Sequence, residues 1–292
     1  MNTLKVYDVR VLPGDASFLL DDGKTAILYD AGFGFTGYGI AENIRKMIGS
    51  RQLDYIFLTH SHYDHVLGSA AICRVFPEAK VVASARTAYV FTRPGALAVM
   101  KDLDDKYAQR CGETPCAFLG SELHVDIVVS DGDVVEAGDM KYEVVELPGH
   151  TFCSIGFYLQ GQEMLLACES LGVYNGGDVI VPSVLVGCKA ALSSIERVCK
   201  MKIRKILMPH YGMLTDEETA FYLQNCYRAT ENCISFVYDR LQAGKSNEEI
   251  IADFFAEFRK GTVCDKYPLD AATLNTNIMI NLVRKELLGQ SI

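Results

Sequence analysis

No stretch of this chain stays apolar for the roughly 20 residues that a membrane helix needs. The opening, MNTLKVYDVRVLPGD, also lacks the basic-then-apolar order of a secretory leader. These absences lead to the expectation of a soluble protein that remains in the cytoplasm. Basic charge is in short supply. The 28 Lys and Arg face 37 Asp and Glu, a formal net charge of −9, and the dense patches Lys101 to Lys106 and Asp131 to Asp139 are mostly acidic. A nucleic-acid partner is therefore argued against, because it needs Lys and Arg gathered on one face. None of the ten cysteines stands in a CxxC pair or an evenly spaced framework. A disulfide scaffold is excluded, and thiols such as Cys199, Cys226 and Cys233, set in apolar helical patterns, read as small hydrophobes in a reducing compartment. There is no internal repeat and no low-complexity linker. Histidine is scarce too, at six residues in 292.

Nearly half the residues are apolar, enough for a sizeable core in one large domain or two smaller ones. In the first third, strands and helices alternate: LKVYDVRVL, ASFLL and KTAILY read as strands, GIAENIRKMIG as a helix, DYIFLTH as a strand, VLGSAAICRVF as a helix and KVVASA as a strand. That alternation implies an α/β layered architecture. Residues 86–118 are mixed and interrupted by two prolines, and read as an irregular insertion over one face. A second set of strands follows, separated by DGD, AGD and QGQ turns. After Tyr211 the character is helical only. Capping boxes TDEE at Thr215 and SNEE at Ser246 open helices, and Ile250, Ile251, Phe254, Phe255 and Phe258 recur at helical spacing. The division this suggests is residues 1–212 as the main domain, with 213–292 as a helical extension packed on it.

Half of the histidines stand in THSHYDH, residues 59–65, where a strand ends and a helix begins. Side chains of His60, His62, Asp64 and His65 on such a loop can converge on a small volume, and imidazole with carboxylate is the donor set that borderline divalent metals prefer. His150 in PGHT and His210 in MPHYG each follow a strand as well. Loops at one edge of the sheets gather in a layered fold, so five of the six histidines point to one site. His124 lacks such a context and reads as structural. A competing motif is Gly32-Phe33-Gly34-Phe35-Thr36-Gly37, a GxGxxG after a strand and before a helix, as in a dinucleotide-binding loop. The acid that should close the next strand is missing. Thr59 and His60 stand there, so the glycines read as a turn.

Taken in order, Asp30-Ala-Gly, THSHYDH, GHTFCS at 149–154, the acid ending MLLACE, and the late PHYG resemble the metallo-β-lactamase superfamily. The resemblance covers about residues 1–212. It implies an α/β fold, a four-layer αββα sandwich here carrying a C-terminal helical extension, with a binuclear metal centre at one edge. Carried onto this sequence, it puts His60, His62 and His150 around one divalent ion and Asp64, His65 and His210 around the second. Zinc comes first, with iron or manganese as the other candidates. The family's bridging aspartate falls on Glu169, a departure that leaves open whether this longer side chain spans both ions or holds one. Cys168 is the competing ligand, because some β-lactamases of the family use a cysteine near this place. Asp30 is expected behind the ligands, fixing their loops.

The activity implied is that of a metal-dependent hydrolase in which metal-bound hydroxide, oriented by Asp64, attacks a carboxylic thioester, ester or lactone. A phosphodiesterase on the same centre is one alternative. A metal-retaining regulatory or binding protein with little turnover is another. Flavin-associated di-iron relatives typically carry a carboxylate where this chain has His62. The helical extension resembles glyoxalase II-like and quinolone-signal-response-like members, which favours a thioester or ester as the small-molecule substrate. Tyr89, Phe91, Arg93, Tyr107 and Tyr211 are candidate pocket walls. A homo-oligomer is left open.

Overall fold

The protein is described here from a computed structural model covering residues 4–117, 122–262, 264 and 266–290. The chain forms two compact units, Met1–Val145 with Ile155–Gly161, and Glu146–Ser154 with Gln162–Ile292.

The first unit is built on a six-stranded sheet whose strands lie side by side in sequence order: β1 (Lys5–Asp8), β2 (Phe18–Asp21), β3 (Ala26–Tyr29), β4 (Tyr55–Phe57), β5 (Lys80–Ser84) and β6 (Ile127–Val129). From β1 to β3 the pairing is antiparallel, and from β3 to β6 it is parallel. Every residue of β2 and β3 is buried, as expected of strands covered on both faces. One cover is helical. Helix α1 (Gly37–Ile48) turns Ile40, Ala41, Ile44 and Ile48 inward at helical spacing. Beyond the one-turn α2 (Tyr63–Val66), α3 (Gly68–Val75) approaches α1 so closely that a Cβ on Gly37 would lie 2.7 Å from the Gly68 carbonyl oxygen. The other cover is β7 (Val134–Ala137), β8 (Met140–Glu146) and β9 (Ile155–Leu159), in the order β9-β8-β7. Phe57 of β4 stacks on Phe157 at 4.5 Å and meets Tyr142 edge-on at 5.2 Å, which forms the centre of the sandwich core.

Residues 86–118 differ from the irregular insertion that the sequence suggests, and residue 118 lies outside the described residues. They hold two helices, α4 (Ala85–Phe91) and α5 (Pro94–Arg110). The Ser84 hydroxyl caps α4 by accepting from the Thr87 amide at 3.3 Å. Pro94 occupies the first turn of α5, where its missing N–H leaves no hydrogen bond unmade. A residue that looks like a breaker thus acts as an initiator. Leu97, Met100, Leu103 and Tyr107 then face the core of this unit.

In the second unit, β10 (Met164–Leu166), the hairpin of β11 (Val173–Tyr174) with β12 (Ile180–Val181), helix α6 (Cys188–Cys199), β13 (Lys205–Met208) and β14 (Gly212–Met213) follow in turn. Strand β13 pairs parallel with β10 and antiparallel with β14. From Asp216 onward every described element is a helix: α7 (Asp216–Gln242), α8 (Asn247–Phe258) and α9 (Leu269–Leu288). Both capping boxes form, at Thr215 with Glu218 and at Ser246 with Glu249. Cys188 and Ala191 of α6, Cys233 and Val237 of α7, Phe254 of α8 and Ile280 of α9 share one buried core.

Candidate metal centre

In the first unit the donors stand where β4 gives way to α2. His60 follows the strand, His62 is the N-cap of α2, and Asp64 and His65 lie in its single turn, with His60, Asp64 and His65 buried. The His60 ring lies 4.7 Å from that of His62 and 4.1 Å from that of His65, centre to centre. Asp30, in the left-handed region at φ 52°, turns its buried carboxylate to the same loop. It accepts from the Thr59 amide at 2.8 Å and the Thr59 hydroxyl at 2.9 Å, and lies 2.8 Å from His65 Nδ1.

These contacts decide both tautomers. A carboxylate only accepts, so His65 Nδ1 carries the proton and the ring's lone pair is on Nε2, which faces Asp64 at 3.9 Å. The Thr59 hydroxyl has spent its hydrogen on Asp30. At 3.0 Å from His60 Nδ1 it must therefore accept, which puts the His60 lone pair on Nε2 as well. Imidazoles held through Nδ1 with Nε2 basic are in the form that binds metals.

The second unit repeats the device. His150 Nδ1 is 2.8 Å from the Ser183 hydroxyl and 3.2 Å from the Ser183 carbonyl, which fixes its proton there. His150 Nε2 lies 2.6 Å from one oxygen of Glu169, and His210 Nε2 lies 3.2 Å from the other. Burial alone would raise the Glu169 pKa, but the charge and hydrogen bonding of His150 and His210 outweigh it and hold the carboxyl well below its usual range. A buried carboxylate this close to an imidazole that already holds its one proton calls for positive charge at that point, a second proton or a metal cation. The donor set fits a divalent ion. Glu169 opens a 3₁₀ turn, Glu169–Leu171, whose trailing carbonyls at Leu171 and Gly172 both lie within 2.7 Å of the Tyr222 hydroxyl on α7. His210, like Asp30, has positive φ, at 62°.

The sequence profile of the metallo-beta-lactamase superfamily matches residues 11–213. The chain belongs to that superfamily. Its α/β fold, mixed sheets in a sandwich with added C-terminal helices, is the superfamily's fold. The metallo-beta-lactamase fold-containing protein ST1585 of Sulfurisphaera tokodaii is 23% identical over 198 residues, 66% of this chain and 70% of its own length. The hydroxyacylglutathione hydrolase of Ruegeria pomeroyi is 28% identical over 173 residues, 58% of this chain and 52% of its own. The chain thus spans about half the length of that enzyme. Among solved structures, a metallo-beta-lactamase family protein from Thermus thermophilus superimposes with a TM-score of 0.66 at 18% identity, covering 97% of this chain and 93% of that one.

Against the superfamily pattern, the rival glycine motif is closed. Its amides are already engaged, Gly32 with the Ala16 carbonyl, Phe33 with Asp15 and Gly34 with Asp104, so a phosphate there would meet two carboxylates. His124 is half-exposed, with Nε2 3.4 Å from Asp126, well away in sequence and surroundings from the clustered histidines. Of the five candidate pocket residues, four belong to the first unit and Tyr211 to the second. Tyr89 is 59% exposed with Arg93 over its ring, Phe91 is in the core, and Tyr107 packs on Phe33 at 4.8 Å. Tyr211, in the second unit, donates to Glu218 at 2.7 Å and meets Tyr174 edge-on. A pocket of about 670 Å³, its open mouth included, lies within the second unit. Glu169, His210, Phe254, Arg259, Tyr267 and Met279 are on its walls. Phe254 was visible in the sequence only as helical spacing. Arg259 and Tyr267 stand in no motif.

Proposed function

We propose that the protein is a binuclear metal-dependent hydrolase acting on a carboxylic thioester, ester or lactone, with His60, His62, Asp64, His65, His150, Glu169 and His210 as its ligands. The tautomeric control just described carries the reading: His60, His65 and His150 each have Nδ1 held by an oxygen that leaves Nε2 basic. Two divalent ions, zinc first and iron or manganese next, supply hydroxide at neutral pH and Lewis acidity toward a carbonyl. Asp64, itself among the ligands, would orient the attacking hydroxide. Asp30 and Thr59 keep His65 and His60 from turning. Glu169, between His150 and His210 and one methylene longer than the family's aspartate, would hold one ion or both. The relatives named for hydroxyacylglutathione, a thioester, support a thioester ahead of a phosphodiester.

Elemental analysis of protein purified without tag or chelator should find about two equivalents of metal, with the His62→Ala variant losing roughly one of them and nearly all turnover. His124→Ala should match the parent in both. Chromogenic thioesters, lactones and bis(p-nitrophenyl) phosphate then separate the substrate classes. Turnover of the phosphodiester alone would reverse the assignment, and metal near zero after reconstitution would remove it.

A further inference from the structure

The pocket of the second unit brings apolar side chains up to two of the metal-ligand candidates. Val181, Val184, Leu185, Phe254 and Met279 line it alongside Glu169 and His210. Arg259 is the only Lys or Arg among the lining residues. It is the C-cap residue of α8, its guanidinium lies 5.6 Å from the Phe255 ring, and one nitrogen donates to the Tyr267 carbonyl at 2.8 Å. Among the described residues no carboxylate pairs with it. Tyr267 in turn packs edge-on against His210 at 6.0 Å, so the contacts run from His210 through Tyr267 to the guanidinium.

This wall is held in place. The Asn175 carbonyl accepts from the Thr262 amide at 3.1 Å, and the Asn175 side-chain oxygen accepts from the Cys264 amide at 2.9 Å. Gly261, at φ +87°, passes so close that a Cβ there would lie 2.5 Å from the Asn175 carbonyl oxygen. Only glycine fits that crossing. Gly261, Thr262 and Cys264, which follow Arg259 in the chain, are thereby fastened to Asn175, the residue after β11. A half-buried guanidinium in an apolar wall, with donors beyond the one that Tyr267 engages, is suited to a planar anion.

Resting on the thioester or ester reading above, we propose that this pocket takes the acyl part of the substrate, an apolar chain or ring that carries a carboxylate, and that Arg259 receives that carboxylate. The apolar walls take the hydrocarbon, and Glu169 and His210 mark the end at which the scissile carbonyl sits. The thiol or alcohol half of the substrate is assigned to the outside of this pocket. Arg259 is then a specificity residue that touches substrate.

The test uses the full-length, metal-reconstituted protein and two thioesters of N-acetylcysteamine, octanoyl and 7-carboxyheptanoyl, with the matching thioethers as unreactive ligands. A charge-assisted hydrogen bond corresponds to about tenfold or more, so kcat/KM should favour the carboxylated thioester by that factor. Arg259→Met should bring the ratio to about one, and Arg259→Lys, which keeps the charge without the fork, should retain part of it. Should Arg259→Met fail to fold, the Lys variant and the decline of the parent's ratio with added salt take its place. Equal turnover of the two thioesters by the parent, or a ratio that Arg259→Met leaves unchanged, overturns the proposal and leaves thioester hydrolysis standing. Tighter calorimetric binding of the carboxylated thioether, lost in Arg259→Met, in a protein that cleaves neither thioester keeps the pocket assignment and overturns the thioester reading. Binding of neither thioether overturns the pocket assignment.

Discussion

Asp30 works through other side chains, reaching His65 directly and His60 by way of Thr59. Asp30→Asn keeps the size but loses the charge that fixes both tautomers. Metal affinity, measured by competition with a chromogenic chelator, should fall about ten- to a hundredfold, as for other groups that hold metal-binding histidines; unchanged affinity would remove Asp30 from that role. A second buried acid titrates in a useful range. Burial pushes the Asp104 pKa from 3.8 up to about 7, against the opposing donation from the Gly34 amide. The folded protein therefore holds a proton that the unfolded chain has already released, and stability declines as pH rises from about 4 to about 7. Asp104→Asn should show a flatter dependence of Tm on pH across that window, and curves parallel to the parent's would exclude Asp104 as the source. At this scale the sequence was informative where chemistry repeats at short spacing, as in THSHYDH. It was silent on Arg259 and Tyr267, whose roles come from where the chain passes.

Among elements, α6 and α7 bring two thiols within reach of each other. Cys199 and Cys226 approach to 3.9 Å between sulfurs, and the hydrogen bond from Cys226 lowers the Cys199 pKa to about 7 despite partial burial. Cys199 is exposed, whereas burial pushes Cys73 and Cys116 up to about 11. Iodoacetamide at pH 7 should therefore label Cys199 ahead of those two, as read by peptide mass spectrometry, and the Cys226→Ala variant should label more slowly. Apolar helical patterning identifies such positions as core, and only the approach of two helices reveals a thiol that has a partner. The same limit explains α4 and α5. Pro94 breaks a helix that would arrive from its N-terminal side but starts one on its C-terminal side, and the sequence does not say which. The capping boxes at Thr215 and Ser246 were legible because both partners lie within a single turn.

For the molecule as a whole, no helix among the described residues is long and apolar enough to cross a membrane. A metal held by residues far apart in the chain would make metal binding part of the folding free energy. Removing metal with a chelator should lower Tm by several degrees and abolish hydrolysis, and restoring zinc, iron or manganese in turn should return both to different extents. A Tm indifferent to chelation would mean that no metal is resident at this site.

What the sequence determined by itself was the superfamily, the order of its motifs and the identity of the histidines with metal-binding context, because donor chemistry and strand-end position are written in local spacing. The tertiary structure decided which nitrogen of His60, His65 and His150 keeps its proton, that the Glu169 carboxylate meets both His150 and His210, and that Arg259 joins an apolar wall beside them. Those features depend on distances between residues far apart in the chain, which only the packing of strands and helices brings within hydrogen-bonding reach.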